Sequence, residues 1–143
     1  MDMMWTEQLS VGNAILDSDH KELFGLIMDI GCITKARDHS VLAQAFKLLK
    51  GCMDRHFLNE ELFAHALNIP FTRHQQDYQN MLAEIDFTIR EIEKDNAATV
   101  YEIGRYAQLL RDWLIKHIVE EDMLMKPVLQ TRPYDFKIDG VCN

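Results

Sequence analysis

Hydrophobic residues recur along this chain at steps of three and four positions, the spacing that places side chains on one face of an α-helix. The clearest run has steps of four, three, four, three and four, and it consists of Leu42, Phe46, Leu49, Met53, His56 and Glu60. Comparable runs begin near residues 20, 71 and 100. The pattern predicts four amphipathic helices, each with one face towards a shared interior.

The residues between these runs indicate where the helices begin and end. Asp17 or Ser18 supplies a polar cap for the first helix. Pro70 and Pro127 lie where the second and fourth helices are expected to end, because proline cannot continue a helix. The expected helices cover approximately residues 17–37, 41–66, 71–94 and 97–126.

Four helices of this length, joined by short loops, are typical of an all-α, up-down-up-down four-helix bundle. A chain of 143 residues has the usual size of one domain, and the bundle is expected to occupy residues 17–129. Residues 1–16 lack helical periodicity and are interpreted as an N-terminal arm. Residues 130–143 are interpreted as an irregular tail or a linker stub.

Composition narrows the classes of function. Hydrophobic residues make up 48% of the chain and charged residues 27%, which is typical of a globular protein. The net charge of −8 argues against a nucleic-acid partner. No stretch approaches the roughly 20 apolar residues that span a bilayer, so we expect no membrane insertion and a cytoplasmic location. The three cysteines lack paired spacing, which predicts neither a disulfide framework nor a thiolate zinc site.

Histidine occupies positions on these hydrophobic faces where a soluble helix would ordinarily carry leucine. Each run has one, namely His20, His56, His74 and His117, and Glu60 lies four residues after the second. Burying one unpaired polar group costs roughly 2 to 7 kcal/mol, and an uncompensated carboxylate costs more. Any one of these histidines alone is most simply explained as a hydrogen-bonded core residue. Four of them in one interior predict a metal cluster, because imidazole and carboxylate are ligands for iron, manganese or zinc.

Two other kinds of metal bundle, and one bundle without metal, compete with this interpretation. Ferritin-like diiron proteins use Glu-x-x-His pairs, and no such pair occurs in the chain. Catalytic zinc sites usually have three protein ligands and an open position, which is fewer groups than are present here. A metal-free interaction bundle is the remaining alternative. His39 in an expected loop and His65 at a helix end are not expected to bind metal.

The combined spacing of these residues resembles the hemerythrin family, including its bacterial members. The opening segment over residues 5–12 is also similar to the start of a bacterial hemerythrin. The similarity extends over nearly the whole chain. It rests on Asp17 and His20, the run over residues 56–61, His74, and His117 followed by Asp122.

The resemblance implies a non-haem diiron centre that binds dioxygen directly. An oxo or hydroxo group derived from solvent would complete the core between the two iron ions. Two carboxylates and a hydroxide offset three of the four positive charges of a diferrous pair. Carried over position by position, the implied ligands are His20 and His56 on one ion, His74 and His117 on the other, and Glu60 and Asp122 as bridges.

The chain departs from the family pattern at one position. The family usually has a further histidine four residues after the one matched by His74, and Tyr78 stands there. Three interpretations are open: Tyr78 binds iron as a phenolate, it hydrogen-bonds to a solvent molecule on the iron, or it only packs. A solvent molecule at the coordination position that the missing histidine would fill favours ferric iron, and so does a phenolate ligand. Both of these interpretations therefore predict faster autoxidation and poorer storage of dioxygen.

Helical geometry and the family spacing favour different residues as the second bridge. At about 100° per residue, Glu121 lies beneath His117, while Asp122 is rotated by about 140° from it. The family spacing of five residues points to Asp122, whose short side chain can enter from the flank of the helix. We expect Asp122 to be the bridge, and we interpret Glu61 and Glu120 as surface charges.

The resemblance also implies candidate functions. Bacterial hemerythrin-like domains are often fused to signalling modules, such as chemotaxis receptors and cyclic-dinucleotide enzymes. We therefore expect an oxygen or redox sensor that is not itself an enzyme and regulates a partner or a signalling domain fused at its C-terminus. The alternatives are dioxygen storage or transport, and a diiron oxidase or peroxidase.

Five large side chains are candidates for the walls of a dry pocket for dioxygen, although packing alone accounts for each of them. They are Phe24, Phe57, Phe63, Trp113 and Leu114.

Overall fold

Four long α-helices form the body of the protein, which confirms the all-α four-helix bundle expected from the sequence. The computed structural model describes residues 5–36, 39–94 and 100–141. α1 packs against α2 and α4, and α2 also packs against α3. Within these ranges, no helix combines the length and the apolar character needed to cross a bilayer. The long helices are α1 (Ala14–Ala36), α2 (His39–Ala66), α3 (Thr72–Glu93) and α4 (Val100–Glu120).

Some expectations from the sequence concern positions outside the described residues. They are the first four residues of the arm, the end of the first helix at Arg37, the start of the fourth helix at Ala97, and residues 142–143 of the tail.

The apolar face of α2 lies in the interior of the bundle, as its spacing predicts. Leu42, Phe46 and Leu49 are at most 1% exposed, and they share one core with Ile85 of α3 and Leu110 of α4. Side chains of this size contribute about 1.5–3 kcal/mol each when they are fully buried. This packing holds the four helices in place around the polar residues described below.

α1 begins at Ala14, before the caps expected at Asp17 or Ser18, so that expectation was wrong. Asn13 caps the helix instead. Its side-chain Oδ1 accepts hydrogen bonds from two backbone N–H groups of the first turn, at 3.0 and 3.2 Å. A side-chain oxygen at this position satisfies N–H groups that have no partner within the helix. The first turn of α1 therefore belongs to the segment that was assigned to the arm.

Asp17 joins the N-terminal arm and the C-terminal tail to α1. Its buried carboxylate accepts hydrogen bonds from the N–H of Val11 (2.9 Å) and from the hydroxyl groups of Ser10 (2.5 Å) and Tyr134 (2.7 Å). The first N–H of α1 also donates to the backbone oxygen of Tyr134, at 2.8 Å. The tail over residues 131–141 is therefore docked on the start of α1.

The arm contains a short 3-10 helix at Glu7–Leu9 and then turns at Gly12. Gly12 has a φ of 84°, a left-handed conformation that glycine adopts without strain. A Cβ atom at this position would lie 3.0 Å from Cγ of Gln130. Glycine therefore allows both the turn and the close approach of the arm to the tail.

α2 ends at Ala66, as the sequence predicts, in a turn built around Asn68. Asn68 has a φ of 56°, a conformation that asparagine adopts more readily than most residues. The N–H of Ile69 donates to the backbone oxygen of Ala64 at 2.8 Å, which closes the helix in a Schellman motif. Pro70 follows and prevents the helix from continuing.

The fourth helix does not continue as a single α-helix to Lys126, so that expectation was wrong. α4 ends at Glu120, a 3-10 helix spans Asp122–Met125, and a short helix α5 spans Lys126–Leu129. Pro127 lies in the first turn of α5, where its missing N–H breaks no helical hydrogen bond. The change of helix type directly precedes one of the candidate site residues.

Candidate metal centre

Six buried side chains meet in the interior between the four long helices. Each long helix contributes one histidine, α2 also contributes a glutamate, and the 3-10 helix after α4 begins with an aspartate. None of the six is more than 3% exposed. They are His20, His56, Glu60, His74, His117 and Asp122.

These side chains form two groups that share both carboxylates. Within each group, one nitrogen or oxygen atom from every residue lies within 4.8 Å of the others, so that each group could hold one metal ion. His65 is exposed in the last turn of α2 and belongs to neither group. The groups are His20, His56, Glu60 and Asp122, and His74, His117, Glu60 and Asp122.

The carboxylate of Asp122 divides its two oxygens between the two pairs of histidines. Its Oδ2 atom lies 3.0 Å from Nε2 of His20. Its Oδ1 atom lies 3.1 Å from Nε2 of His74 and 3.1 Å from Nε2 of His117. Asp122 is therefore placed between the two groups and faces both.

Glu60 divides its oxygens in the same way. Its Oε1 atom lies 2.5 Å from Nε2 of His56 and 3.4 Å from Nε2 of His20. Its Oε2 atom lies 3.8 Å from Nε2 of His117. Two carboxylates in this arrangement can each bind two ions at once.

Several buried polar atoms of the cluster have no partner with hydrogen-bond geometry. Leaving a buried donor or acceptor unpaired costs about 1–3 kcal/mol, so the cluster needs a further partner. Divalent cations supply one, because imidazole nitrogen and carboxylate oxygen are both ligands that such ions accept. The donor set therefore fits a metal cluster. The unpaired atoms are Nδ1 of His20, Nε2 of His74, Nε2 of His117, Oε2 of Glu60 and both carboxylate oxygens of Asp122.

Burial and the neighbouring charges have opposite effects on the ionisation of the cluster. Burial alone lowers the pKa of His56, but the carboxylates of Glu60 and Asp19 outweigh it and raise the pKa to about 10. Burial alone raises the pKa of Asp122, but His117 beside it holds the pKa well below its usual range. Without a metal ion, His56 therefore favours its protonated form and Asp122 favours its charged form. A metal ion must displace the proton of His56, because imidazole binds a metal ion in its neutral form.

Two carboxylates outside the cluster contact the outer nitrogens of two histidines. Asp19 Oδ2 lies 3.1 Å from Nδ1 of His56 and accepts a hydrogen bond from the amide of Asn59 at 3.0 Å. Asp77 Oδ2 lies 2.7 Å from Nδ1 of His117. Neither aspartate is identifiable from the sequence, because its histidine lies 37 or 40 residues away and the pairing depends on helix packing.

Asp122 reaches the cluster, and Glu121 does not, because the helix changes at this point. Glu121 has φ −109° and ψ −57°, away from regular α-helical torsions, and a 3-10 helix follows it. Its carboxylate pairs with Arg73 at 2.7 Å. The rotation of about 140° between His117 and Asp122, calculated for a regular α-helix, therefore does not apply here. Glu61 and Glu120 are both exposed.

Tyr78 makes its contacts with α2. Its hydroxyl donates a hydrogen bond to Oδ1 of Asp54. Its ring stacks on Phe57, with centroids 4.1 Å apart and 24° between the planes. Burial and the Asp54 carboxylate raise the pKa of Tyr78, which disfavours the phenolate form.

Aromatic rings cover the histidine of α4. Trp113 stacks on His117, with centroids 5.0 Å apart and 19° between the planes. Phe57 meets the same imidazole edge to face at 5.1 Å. These rings limit the access of water to His117, which is 2% exposed.

An apolar cavity of about 10 Å³ has Trp113 and Leu114 in its wall. Phe24, Phe57 and Phe63 are buried but do not line this cavity. A volume of roughly 10–15 Å³ holds about one water molecule, so side chains must move before a diatomic ligand fits there. The other residues in its wall are Leu23, Ile27, Leu49, Met53 and Leu110.

A groove of about 290 Å³ lies between α3 and α4. His117 and Asp77 both lie on it, together with the charged side chains of Lys116 and Glu120. The groove therefore brings solvent close to Asp77, the carboxylate that contacts the outer nitrogen of His117.

The chain is similar to known proteins over most of its length. Residues 11–129 match the family model described as Hemerythrin HHE cation binding domain. Bacteriohemerythrins from three strains of Campylobacter jejuni subsp. jejuni are each 26% identical to this chain over 124 residues. The matches cover 84% of this chain and 90% of each relative.

Solved hemerythrin structures share the fold. A wild-type hemerythrin gives a TM-score of 0.80 at 20% identity, and the match covers 90% of this chain and 98% of that protein. The L114Y mutant of a hemerythrin gives a TM-score of 0.81 at 19% identity, and the match covers 91% of this chain and 99% of the mutant.

Proposed function

Because the chain belongs to the hemerythrin HHE cation binding domain family, we propose that it holds two iron ions inside the bundle and binds dioxygen there. The main support is that Glu60 and Asp122 each face both pairs of histidines. A single ion would leave two imidazoles and one oxygen of each carboxylate unpaired, at about 1–3 kcal/mol for each group. Two ions leave none of these groups unpaired.

The proposed ligands tie all four long helices together. One histidine pair joins α1 to α2 and the other joins α3 to α4, while the carboxylates connect the two pairs. Binding of the ions therefore contributes to the stability of the folded bundle. The proposed ligands are His20 and His56 for one ion, His74 and His117 for the other, and Glu60 and Asp122 for both.

When bound, a ferrous pair supplies the electrons that dioxygen binding needs. The residues of the chain control access to it, because the six proposed ligands are almost fully buried and aromatic rings cover His117. Among the described residues, the second ion has two imidazoles, one fewer than the family usually provides, because Tyr78 stands at the position of the further histidine. We propose that the loss of this imidazole makes oxidation to the ferric form too fast for storage of dioxygen.

Stopped-flow spectroscopy tests this function directly. The reduced protein, carrying two iron ions per chain, is mixed with oxygenated buffer while the visible spectrum is followed. We expect a coloured oxygenated form that decays within seconds to the ferric form. A long-lived form that releases dioxygen would instead favour storage or transport, and continued oxygen consumption with a reductant would favour an oxidase. Absence of any oxygenated form in protein that holds two iron ions would contradict dioxygen binding.

We further propose that the iron centre acts as an oxygen or redox sensor, because Asp122 is connected to the tail. Asp122 begins the 3-10 helix that leads through α5 to the docked tail at residues 131–141. The tail contacts Asp17 through Tyr134, and Asp17 lies three residues before His20. A shift of Asp122 therefore has a short route to the tail, where a fused or partner signalling module could detect it.

Hydrogen exchange in the reduced and ferric proteins tests the sensing role. We expect the protection of residues 131–141 to differ between the two states, while that of residues 85–92 in α3 stays the same. Tyr134→Phe removes the hydrogen bond to Asp17, so the difference should become smaller in this variant. Equal protection of the tail in both states would contradict sensing through this segment.

A further inference from the structure

Asp77 of α3 is held between two donors on α4. Its Oδ2 atom lies 2.7 Å from Nδ1 of His117, and its Oδ1 atom accepts a hydrogen bond from Nε1 of Trp113 at 3.4 Å. The indole of Trp113 also stacks on the imidazole. The ring of His117 is therefore fixed both along its edge and across its face.

The contact with Asp77 determines which nitrogen of His117 faces the cluster. In the metal-bound form Nδ1 carries a hydrogen and donates it to the carboxylate, so Nε2 presents a lone pair. This Nε2 atom lies 3.1 Å from Oδ1 of Asp122 and has no partner with hydrogen-bond geometry. A carboxylate behind an imidazole also makes the ring a stronger electron donor to a metal.

The second group of ligands makes this contact important. Among the described histidines, cysteines and carboxylates, the group offers two imidazoles together with the two shared carboxylates. Tyr78, one turn after His74, donates its hydroxyl to Asp54 on α2. With so few nitrogen donors, the orientation and basicity of His117 have a large effect on how tightly an ion is held.

We propose that Asp77 is a positioning residue for the ion held by His74 and His117, because it selects the metal-binding tautomer of His117 and strengthens its donation. The inference rests on the proposed metal centre and goes beyond its ligands. Asp19 has the same relationship to His56 on the other side of the cluster. Each ion therefore depends on a different aspartate.

Metal titration of paired variants tests the inference. Metal-free protein is titrated with Co²⁺ without oxygen, and the visible bands of the bound ion report each binding step. We expect two steps for the natural sequence. Asp77→Asn should weaken one step by about 10- to 100-fold and leave the other unchanged, and Asp19→Asn should weaken the opposite step.

A matched control distinguishes the effect of the hydrogen bond between Asp77 and His117 from the effect of the negative charge of Asp77. Glu120 lies on the same groove as Asp77 and is exposed, so Glu120→Gln removes one negative charge without removing a contact to His117. We expect Glu120→Gln to bind both ions as the natural sequence does. Asp77→Glu keeps the carboxylate and should recover part of the lost affinity. Equal weakening by Glu120→Gln and Asp77→Asn would overturn the positioning role.

A spectroscopic readout distinguishes positioning from a general structural effect. In the zinc-bound protein, nitrogen NMR should show His117 with its hydrogen on Nδ1 and Nε2 bound to the metal. Asp77→Asn should shift the Nδ1 resonance and speed exchange of its hydrogen with solvent. If Asp77→Asn fails to fold, Trp113→Phe, which removes the other donor to Asp77, should give a smaller shift in the same direction. An unchanged resonance would overturn the inference.

The titration also separates the two proposals. Fewer than two binding steps for the natural sequence would overturn the two-ion centre and the role of Asp77 together. Two steps of unchanged affinity in Asp77→Asn would overturn the role of Asp77 alone.

Discussion

The hydroxyl of Tyr78 on α3 donates a hydrogen bond to the carboxylate of Asp54 on α2. The ring of Tyr78 is held at the same time by stacking on Phe57. The phenol therefore already has a protein partner. Of the three interpretations that the sequence leaves open for Tyr78, this arrangement favours packing over ligation or a bond to solvent on the metal.

Tyr78→His should slow autoxidation of the oxygenated protein. A histidine at this position adds a nitrogen donor one turn after His74 and closes the second ion to solvent. We expect the rate to fall by about tenfold, which corresponds to about 1.4 kcal/mol in the barrier. The decay of the visible spectrum in air measures it.

Tyr78→Phe is the matched control, because it keeps the stacking on Phe57 and loses only the hydroxyl. If the hydroxyl does not contact the metal, its autoxidation rate should stay close to that of the natural sequence. Equal rates for Tyr78→His and Tyr78→Phe would show that an added imidazole does not reach the ion.

Asp122→Asn and Glu121→Gln should have different effects on iron content. Asp122 lies among the proposed ligands, whereas Glu121 pairs with Arg73. We expect Asp122→Asn to reduce the bound iron from two ions per chain to about one, and Glu121→Gln to leave two. Iron analysis of proteins prepared side by side gives the comparison. Loss of iron from Glu121→Gln alone would assign the bridge to Glu121.

Stability of the metal-free protein should fall as the pH rises above neutral. The pKa of His56 is about 10 in the folded protein, against 6.5 for an unperturbed histidine. Its protonated form therefore stabilises the fold fully below pH 6.5, and this contribution is lost as the pH rises towards 10. We expect the melting temperature to be at least about 4 °C lower at pH 9 than at pH 6.

Iron binding should show the opposite dependence on pH. Because the ions compete with protons for imidazole, their affinity should increase from pH 6 to pH 9. Calorimetry of the metal-free protein and metal titration at the same two pH values provide the test. A metal-free protein that melts at the same or a higher temperature at pH 9 would contradict a protonated His56 in the cluster.

Asp17→Ala should destabilise the protein although Asp17 is outside the cluster. The substitution removes the acceptor for Val11, Ser10 and Tyr134, and it leaves buried donors without partners. We expect a loss of about 3 kcal/mol in the free energy of unfolding by urea. Asp29→Ala, at an exposed position on the same helix, should change it by less than about 0.5 kcal/mol. A similar small change for both variants would mean that the contacts of the arm and the tail with Asp17 contribute little to the free energy of unfolding.

The helices and their inner faces could be predicted because apolar spacing is a local property of the sequence. The same spacing placed His20, His56, His74 and His117 on interior faces, where the structure also has them. The end of α2 at Ala66 was predictable as well, since Asn68 and Pro70 follow it.

The remaining features depend on contacts between distant segments. Asn13 and Asp17 are both suitable caps by residue type, and only the docking of the tail assigns them different roles. The change of helix after α4 has no glycine or proline to mark it, and Glu121 is held by Arg73 from another helix. The role of Asp77 likewise requires the packing of α3 beside α4.

The most direct test of the two-ion centre is an anomalous difference map at the iron absorption edge from crystals of the iron-loaded protein. We expect two peaks about 3.5–4 Å apart. Both peaks should lie between the carboxylates of Glu60 and Asp122, one beside His20 and His56 and the other beside the remaining pair. A single peak, or peaks away from these carboxylates, would contradict the two-iron centre.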